Sequence, residues 1–286
     1  MHAMRFGFGL LPQYHLWLLL FGSLLVPPSL TVAAGRELQC PALEICYCVD
    51  SDFNSEIAAN VVKLRHLLGE ARKAGRLTAY ISVPISGRGG GYFPLNLAVA
   101  ASAKRALEDR FGADSFFALS PGTPEATLGS IPTPAGGTKS ASGSEYMRMW
   151  TEVLAGVTGR GEEFDLVYFV GPSDVAQALK LTGHGDLQSL HKYVKDHADD
   201  PAFRASIIDK GLENDFVAYY GFRGSVTMSY GSHDEWNIFQ RINSRRRADP
   251  LYGFSRQVAV YFDGRSVDPA STETAVSPGS QSLVCD

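Results

Sequence analysis

Apolar positions recur at two periods along this chain. Ile57, Val61, Leu64, Leu68 and Ala71 fall at helical spacing behind the polar cluster Asp52-Phe53-Asn54-Ser55, which offers an N-cap, and Gly75 ends the pattern. Residues 78–85 are then almost continuously apolar, as a strand covered on both sheet faces should be. An alanine-rich helix over 95–111, stopped by Gly112, leads to a second strand at 115–120. Strand, helix and strand thus fall within roughly forty residues, the length of a right-handed βαβ unit, which predicts parallel pairing.

Residues 121–143 change to Pro, Gly, Ser and Thr, a loop long enough to predict a lid or a disordered segment. Ser142 and Glu145 form a capping box before a helix with Tyr146, Met149, Trp150, Val153 and Leu154 on one stripe. A third strand is expected at 164–170, ending in Gly171-Pro172-Ser173-Asp174 before a helix over 175–181. Beyond Gly185 the pattern is mostly helical: a helix capped by Asp186, others over 201–212 and 216–230, and one capped by Ser232-His233-Asp234-Glu235 that carries Trp236, Phe239 and Ile242. Residues 257–262 read as a late strand at a sheet edge, and 266–283 as a poorly ordered tail pinned by Cys285.

This order of elements predicts an α/β fold, a three-layer Rossmann-like or flavodoxin-like parallel sheet with a C-terminal helical extension. The expected boundaries are a signal peptide over 1–34, a cysteine-containing segment over 35–53 and an α/β domain over 54–183. A mostly helical extension over 184–265 and a flexible tail over 266–286 follow. The leader rests on Arg5 and His15 ahead of an apolar run over 16–26, Pro27-Pro28 and the small residues Ala33, Ala34 and Gly35. That run is shorter than the ~20 residues of a membrane-spanning helix, so export with no stable span is expected, to the periplasm or the cell exterior.

Composition narrows the function classes. At 286 residues, 45% hydrophobic, the chain is long enough to bury a large core, and a net charge of -4 gives no electrostatic footprint for nucleic acid. The dense basic run Arg245-Arg246-Arg247 reads as the solvated end of a helix. Cys40, Cys46, Cys48 and Cys285 suit disulfides, with three full connectivities open. Cys46 and Cys48 are poorly spaced to bond each other, so a bridge from the tail to the N-terminal segment is expected. A C-x-C pair without a second pair is poor metal spacing, and no metal or cofactor is expected.

The candidate chemistry centres on residues 80–92, where an apolar strand opens into a glycine-dense turn. Ser82, Ser86, Gly87, Arg88, Gly89, Gly90 and Tyr92 form a loop suited to a small-molecule ligand, because glycines let backbone N–H groups converge on an anion. The Arg88 fork suits phosphate or carboxylate. In an open α/β sheet the crevice lies beyond the carboxyl ends of the strands, so Ser120 and Ser173 should join this loop there. His233 beside Asp234 and Glu235 suggests acid–base or metal chemistry, but neighbours on a helix do not face one another.

The stretch Tyr80-Ile81-Ser82-Val83-Pro84-Ile85-Ser86-Gly87 has the form Y-I-S-G-P-I-S-G. Asn96 stands at the next helix start, and Leu119-Ser120-Pro121-Gly122 ends a strand in a proline turn. Tyr146-Met147 lies on a helix, and Asp165-Leu166-Val167-Tyr168 has the form D-x-V/I-Y. In this order, residues 78–181 resemble the nucleoside 2-deoxyribosyltransferase-like superfamily. The resemblance implies attack on an N-glycosidic bond by a glutamate on the helix after the third strand, with the first loop holding the sugar or its phosphate. The chain departs there: the expected S-x-G-A-x-x-E reads Ser173-Asp174-Val175-Ala176-Gln177-Ala178-Leu179, with no glutamate. Asp174 is either the substitute catalytic carboxylate or only an N-cap. Two functions follow: a glycosidase or transferase acting on a nucleoside, nucleotide or related sugar derivative, or a catalytically silent ligand-binding or interaction module of the same fold.

Overall fold

A computed structural model describes residues 35–133, 136–221, 229–252, 256–268 and 285, with backbone alone at Arg88 and Tyr230. These residues belong to one compact unit, Gly35–Asp286. The expected signal peptide, most of the expected tail and residues 222–228 of the helix expected over 216–230 lie outside the described residues.

The chain enters as an antiparallel hairpin of β1 (Arg36–Ala42) and β2 (Ile45–Asp50). Its turn residues Leu43 and Glu44 have φ of 57° and 58°, a left-handed conformation that costs about 1–2 kcal/mol for each residue carrying a side chain. Burial of Leu43 and a Cys40–Cys46 disulfide oppose that strain. Cys48 bonds Cys285, so the expected tie between tail and N-terminal segment is present. Helix α1 (Asn54–Lys73) buries the expected stripe of Ile57, Val61, Leu64, Leu68 and Ala71. Its entry differs from expectation: Asp50 caps a 3₁₀ turn, Ser51–Phe53, by accepting the Asp52 N–H at 3.1 Å.

The central sheet follows. β3 (Leu77–Ser82), α2 (Phe93–Phe111) and β4 (Phe116–Leu119) form the expected parallel unit. The loop over 121–143 is an ordered structure among its described residues: β5 (Ser130–Pro132) and β6 (Thr138–Ser140) pair, and Lys139 bridges to Asp50 and Asp52. Then come α3 (Gly143–Ala155), β7 (Leu166–Phe169), α4 (Pro172–Ala178), α5 (Asp186–His197), α6 (Pro201–Ser206) and α7 (Glu213–Gly221). After residues 222–228, α8 (Tyr230–Ala248), β8 (Ala259–Phe262) and β9 (Arg265–Val267) complete the described chain.

The fold is mixed α/β with a mostly parallel sheet ordered β4-β3-β7-β8-β9, only β9 running antiparallel. β8 is therefore an internal strand, because β9 takes the edge expected for it. Alternate residues face two separate cores. Tyr80, Val167, Phe169 and Val260 pack with α1, α3, α8 and the hairpin. Ala79, Ile81, Leu166 and Tyr168 pack with α2 and α4 to α7. The segment expected as an extension thus supplies a helix and a strand to the sheet's own layers.

Arg246 also departs from expectation: it is buried and donates to the carbonyls of Arg160, Gly161 and Arg256 at 2.6, 2.6 and 2.8 Å. Among the described residues no helix is long and apolar enough to cross a membrane. The two disulfides suit an oxidising, extracytoplasmic environment.

The disulfides differ in what they restrain. Cys48–Cys285 spans 237 positions and Cys40–Cys46 only 6, so chain entropy assigns the first about 5 kcal/mol and the second roughly 2. Thermal denaturation of C48S/C285S should show the larger fall in Tm, and C40S/C46S the smaller.

Candidate functional site

Because β4, β3 and β7 are parallel neighbours, the loops after Leu119, Ser82 and Phe169 leave the sheet along one edge. Between β3 and β7 the chain order reverses, and this is where an open α/β sheet leaves a crevice. Helix α8 runs back over the sheet ahead of β8: its later residue Asn243 exchanges hydrogen bonds with Val258 at 3.0 and 2.8 Å, while its first turns reach the end of β3.

The side chain at that meeting point is Glu235. Ser229 caps α8, accepting the Ser232 N–H at 3.1 Å, so the Ser232–Glu235 cluster lies inside the helix rather than capping it. Glu235 shares a helical face with the buried Ile238, Phe239 and Ile242, three, four and seven positions on. The Tyr80 hydroxyl donates to its Oε1 at 2.6 Å, and the Ser82 hydroxyl donates to its Oε2. The carboxylate is only 3% exposed.

Burial, aided by the neighbouring Asp234 charge, pushes the Glu235 pKa up to about 7, and the Ser82 and Tyr80 hydrogen bonds limit the rise. Burial likewise pushes the Tyr80 phenol up. Its ring is fixed by Trp150 and Phe239, at centroid distances of 5.0 and 6.2 Å. From β2, Tyr47 enters the same core, 3.1 Å from the Thr151 hydroxyl and within the field of Asp234 and Glu235.

The residues expected from sequence divide between this site and packing. Ser82 is a full member. Ser86, Gly87 and Gly89 are exposed on the loop after β3, and Arg88 opens a 3₁₀ turn, Arg88–Gly90, its side chain lying outside the described part. Gly90 has φ of 93° and lies so close to α7 that a Cβ would stand 2.3 Å from the carbonyl carbon of Asp215. The N–H of Tyr92, at the start of α2, donates to the Tyr220 hydroxyl at 2.9 Å, and Tyr220 donates to Asn96 at 2.8 Å. Gly90 and Tyr92 thus anchor the loop to α7.

Ser120 sits in a turn, its N–H bonded to the Thr123 hydroxyl at 2.9 Å. The N–H and hydroxyl of Ser173 both donate to Asp263. Asp174 has the capping geometry: its carboxylate accepts the Gly171 N–H at 2.8 Å and the Tyr168 hydroxyl at 2.7 Å. Burial raises its pKa. Among the described residues no group of His, Cys, Asp or Glu is placed to hold a metal ion.

The sequence does carry a signal for Glu235, in its spacing. A charged residue three and four positions before Ile238 and Phe239 falls on the helix's core face, and Tyr80 and Ser82 are polar positions on one face of an otherwise apolar strand. No protein-family model, curated protein or solved structure matches this chain.

A carboxyl group poised near neutrality between two hydroxyl donors can exchange a proton, or attack an electrophilic carbon when ionised. Its raised pKa also has a sign in stability. The folded state holds the proton more tightly than the unfolded chain, so this contribution is present below the ordinary glutamate value of 4.5 and lost as pH rises to about 7. In urea denaturation from pH 4 to 8, E235Q should lack that slope and gain on the order of 3 kcal/mol over the wild type toward neutral pH. A variant less stable than wild type at every pH would identify Glu235 as a purely structural group.

Proposed function

We propose that this chain is an exported enzyme with a flavodoxin-like arrangement of layers, a glycosidase or transferase acting on a nucleoside, nucleotide or related sugar derivative, in which Glu235 is the reacting carboxylate. The observation that carries this reading is the pairing of a buried glutamate with Ser82 and Tyr80 at the carboxyl end of β3. In order of appearance the parallel strands lie 2-1-3-4, the sequence of strands in flavodoxin-like sheets. The resemblance over 78–181 calls for a glutamate on the helix after the third strand; that helix has none, and in this reading Glu235 supplies the carboxylate from α8 instead.

In this reading the ionised carboxylate attacks the anomeric carbon as the bond to the base breaks, and water or an acceptor base then opens the glycosyl ester. Tyr80 keeps Oε1 occupied because its ring is packed. Ser82 turns about a single torsion and gives way at Oε2 when substrate enters. Asp174 is assigned to capping. Export to the periplasm or the cell exterior is part of the same proposal, resting on the apolar leader and the disulfides.

The enclosure of Glu235, 3% exposed with both oxygens bonded, favours a second reading, a ligand-binding module without turnover. A nucleoside panel separates the two. The enzyme reading expects release of free base by the wild type, a loss of at least about a hundredfold in E235Q, and activity retained in D174N. A nucleoside that raises Tm without being consumed points to the binding module. Loss of activity in D174N but not in E235Q would overturn the assignment of the carboxylate.

A further inference from the structure

The hairpin β1–β2 is built more tightly than a simple cover for α3 requires. Leu43 and Glu44 both hold a left-handed backbone, and pairing slips between Gln39 and Ala42, so the ladder alone does not keep the turn. Three things hold it: the Cys40–Cys46 disulfide, the burial of Leu43, and the Arg241 guanidinium, which donates to the Leu43 carbonyl. Arg241 stands on α8, on the same helix as Glu235. Farther along β2, Tyr47 enters the core beside the acidic pair. The hairpin therefore grips the site's helix at its turn, while Tyr47 is bonded by Thr151 of α3 in the same core. Cys40 is exposed, which leaves this disulfide open to a reductant in solution.

We propose that the Cys40–Cys46 disulfide is a redox-sensitive clamp on α8, whose reduction loosens the enclosure of Glu235 and so regulates the site. The inference rests on reading Glu235 as the site's carboxylate. A dithiol reductant supplies two electrons and two protons: its thiolate attacks one sulfur, the bond between Cys40 Sγ and Cys46 Sγ breaks, both cysteines become thiols, and the reductant closes to its own disulfide. With the bridge open, the turn relaxes toward negative φ, the Leu43 carbonyl leaves Arg241, and water reaches the acidic pair along Tyr47. Cys48–Cys285 braces no such turn and ties the end of the chain instead.

Glu235 itself reports the outcome. The groups acting on it are Asp234 on its own helix and Tyr80 and Ser82 on β3; its charge acts in turn on Tyr47 of β2, as does that of Arg241. With 13C-labelled glutamate, the NMR titration of its carboxyl carbon can be followed in the wild type, C40S/C46S, C48S/C285S and R241Q. The clamp predicts that the midpoint falls by about one unit or more in C40S/C46S, toward that of a solvated carboxyl, with a smaller fall in R241Q and no change in C48S/C285S. An unchanged midpoint in C40S/C46S, or equal falls in both disulfide variants, overturns it. Should C40S/C46S fail to fold, R241Q decides, and an unchanged midpoint there overturns the clamp. The titration needs no substrate, so its failure is distinct from a failure of the nucleoside assay.

Discussion

Burying a carboxyl group beneath a helix is unfavourable unless donors meet it, and here the donors come from a strand more than 150 residues earlier, Ser82 lying 153 positions before Glu235. That contact fixes how α8 lies on the sheet at the edge where the strands open. The rest of α8 is also held by polar groups. Arg241 donates to Leu43, Asn243 pairs with Val258 in both directions, and Arg246 donates to three loop carbonyls. Those three side chains bond backbone, which cannot change its charge near neutral pH. Glu235 instead meets two hydroxyls and is itself poised to titrate, a combination that costs stability and suits a reacting group.

Much of the architecture was legible in the sequence, because it is written in local periodicity. The stripe from Ile57 to Ala71, the βαβ unit, the Ser142–Glu145 capping box and the strand before Gly171 each depend on neighbours within a few residues. Two departures were local, Ser229 displacing Ser232 as the cap of α8 and β9 displacing β8 from the edge. The larger ones fall where a distant residue decides, as where Arg246 found carbonyls across the chain. Glu235 belongs with these. Its helical spacing to Ile238 and Phe239 put it on the core face, but only the fold brings Tyr80 and Ser82 to it.

Asp174 shows that a residue in a plausible motif can carry a structural role as well. Its carboxylate accepts the Gly171 N–H at the start of α4, a bond that a helix end needs in any case, and also the Tyr168 hydroxyl. The glycine-dense loop has a comparable fate. Gly90 and Tyr92 serve its attachment to α7, while Ser86, Gly87 and Gly89 remain exposed at the crevice edge. The loop is thus anchored to α7 as it leaves the strand that carries Ser82, and its anchoring explains the choice of glycine at position 90.

A covalent trap gives the most direct measurement. Fluorine at the sugar 2′ position slows both formation and opening of a glycosyl ester, and a good leaving base on the same nucleoside restores formation, so the intermediate accumulates on its carboxylate. Peptide mass mapping after incubation should find the added glycosyl group on Glu235. An adduct on Asp174, or turnover of the parent nucleoside with no trapped carboxylate, would contradict the account.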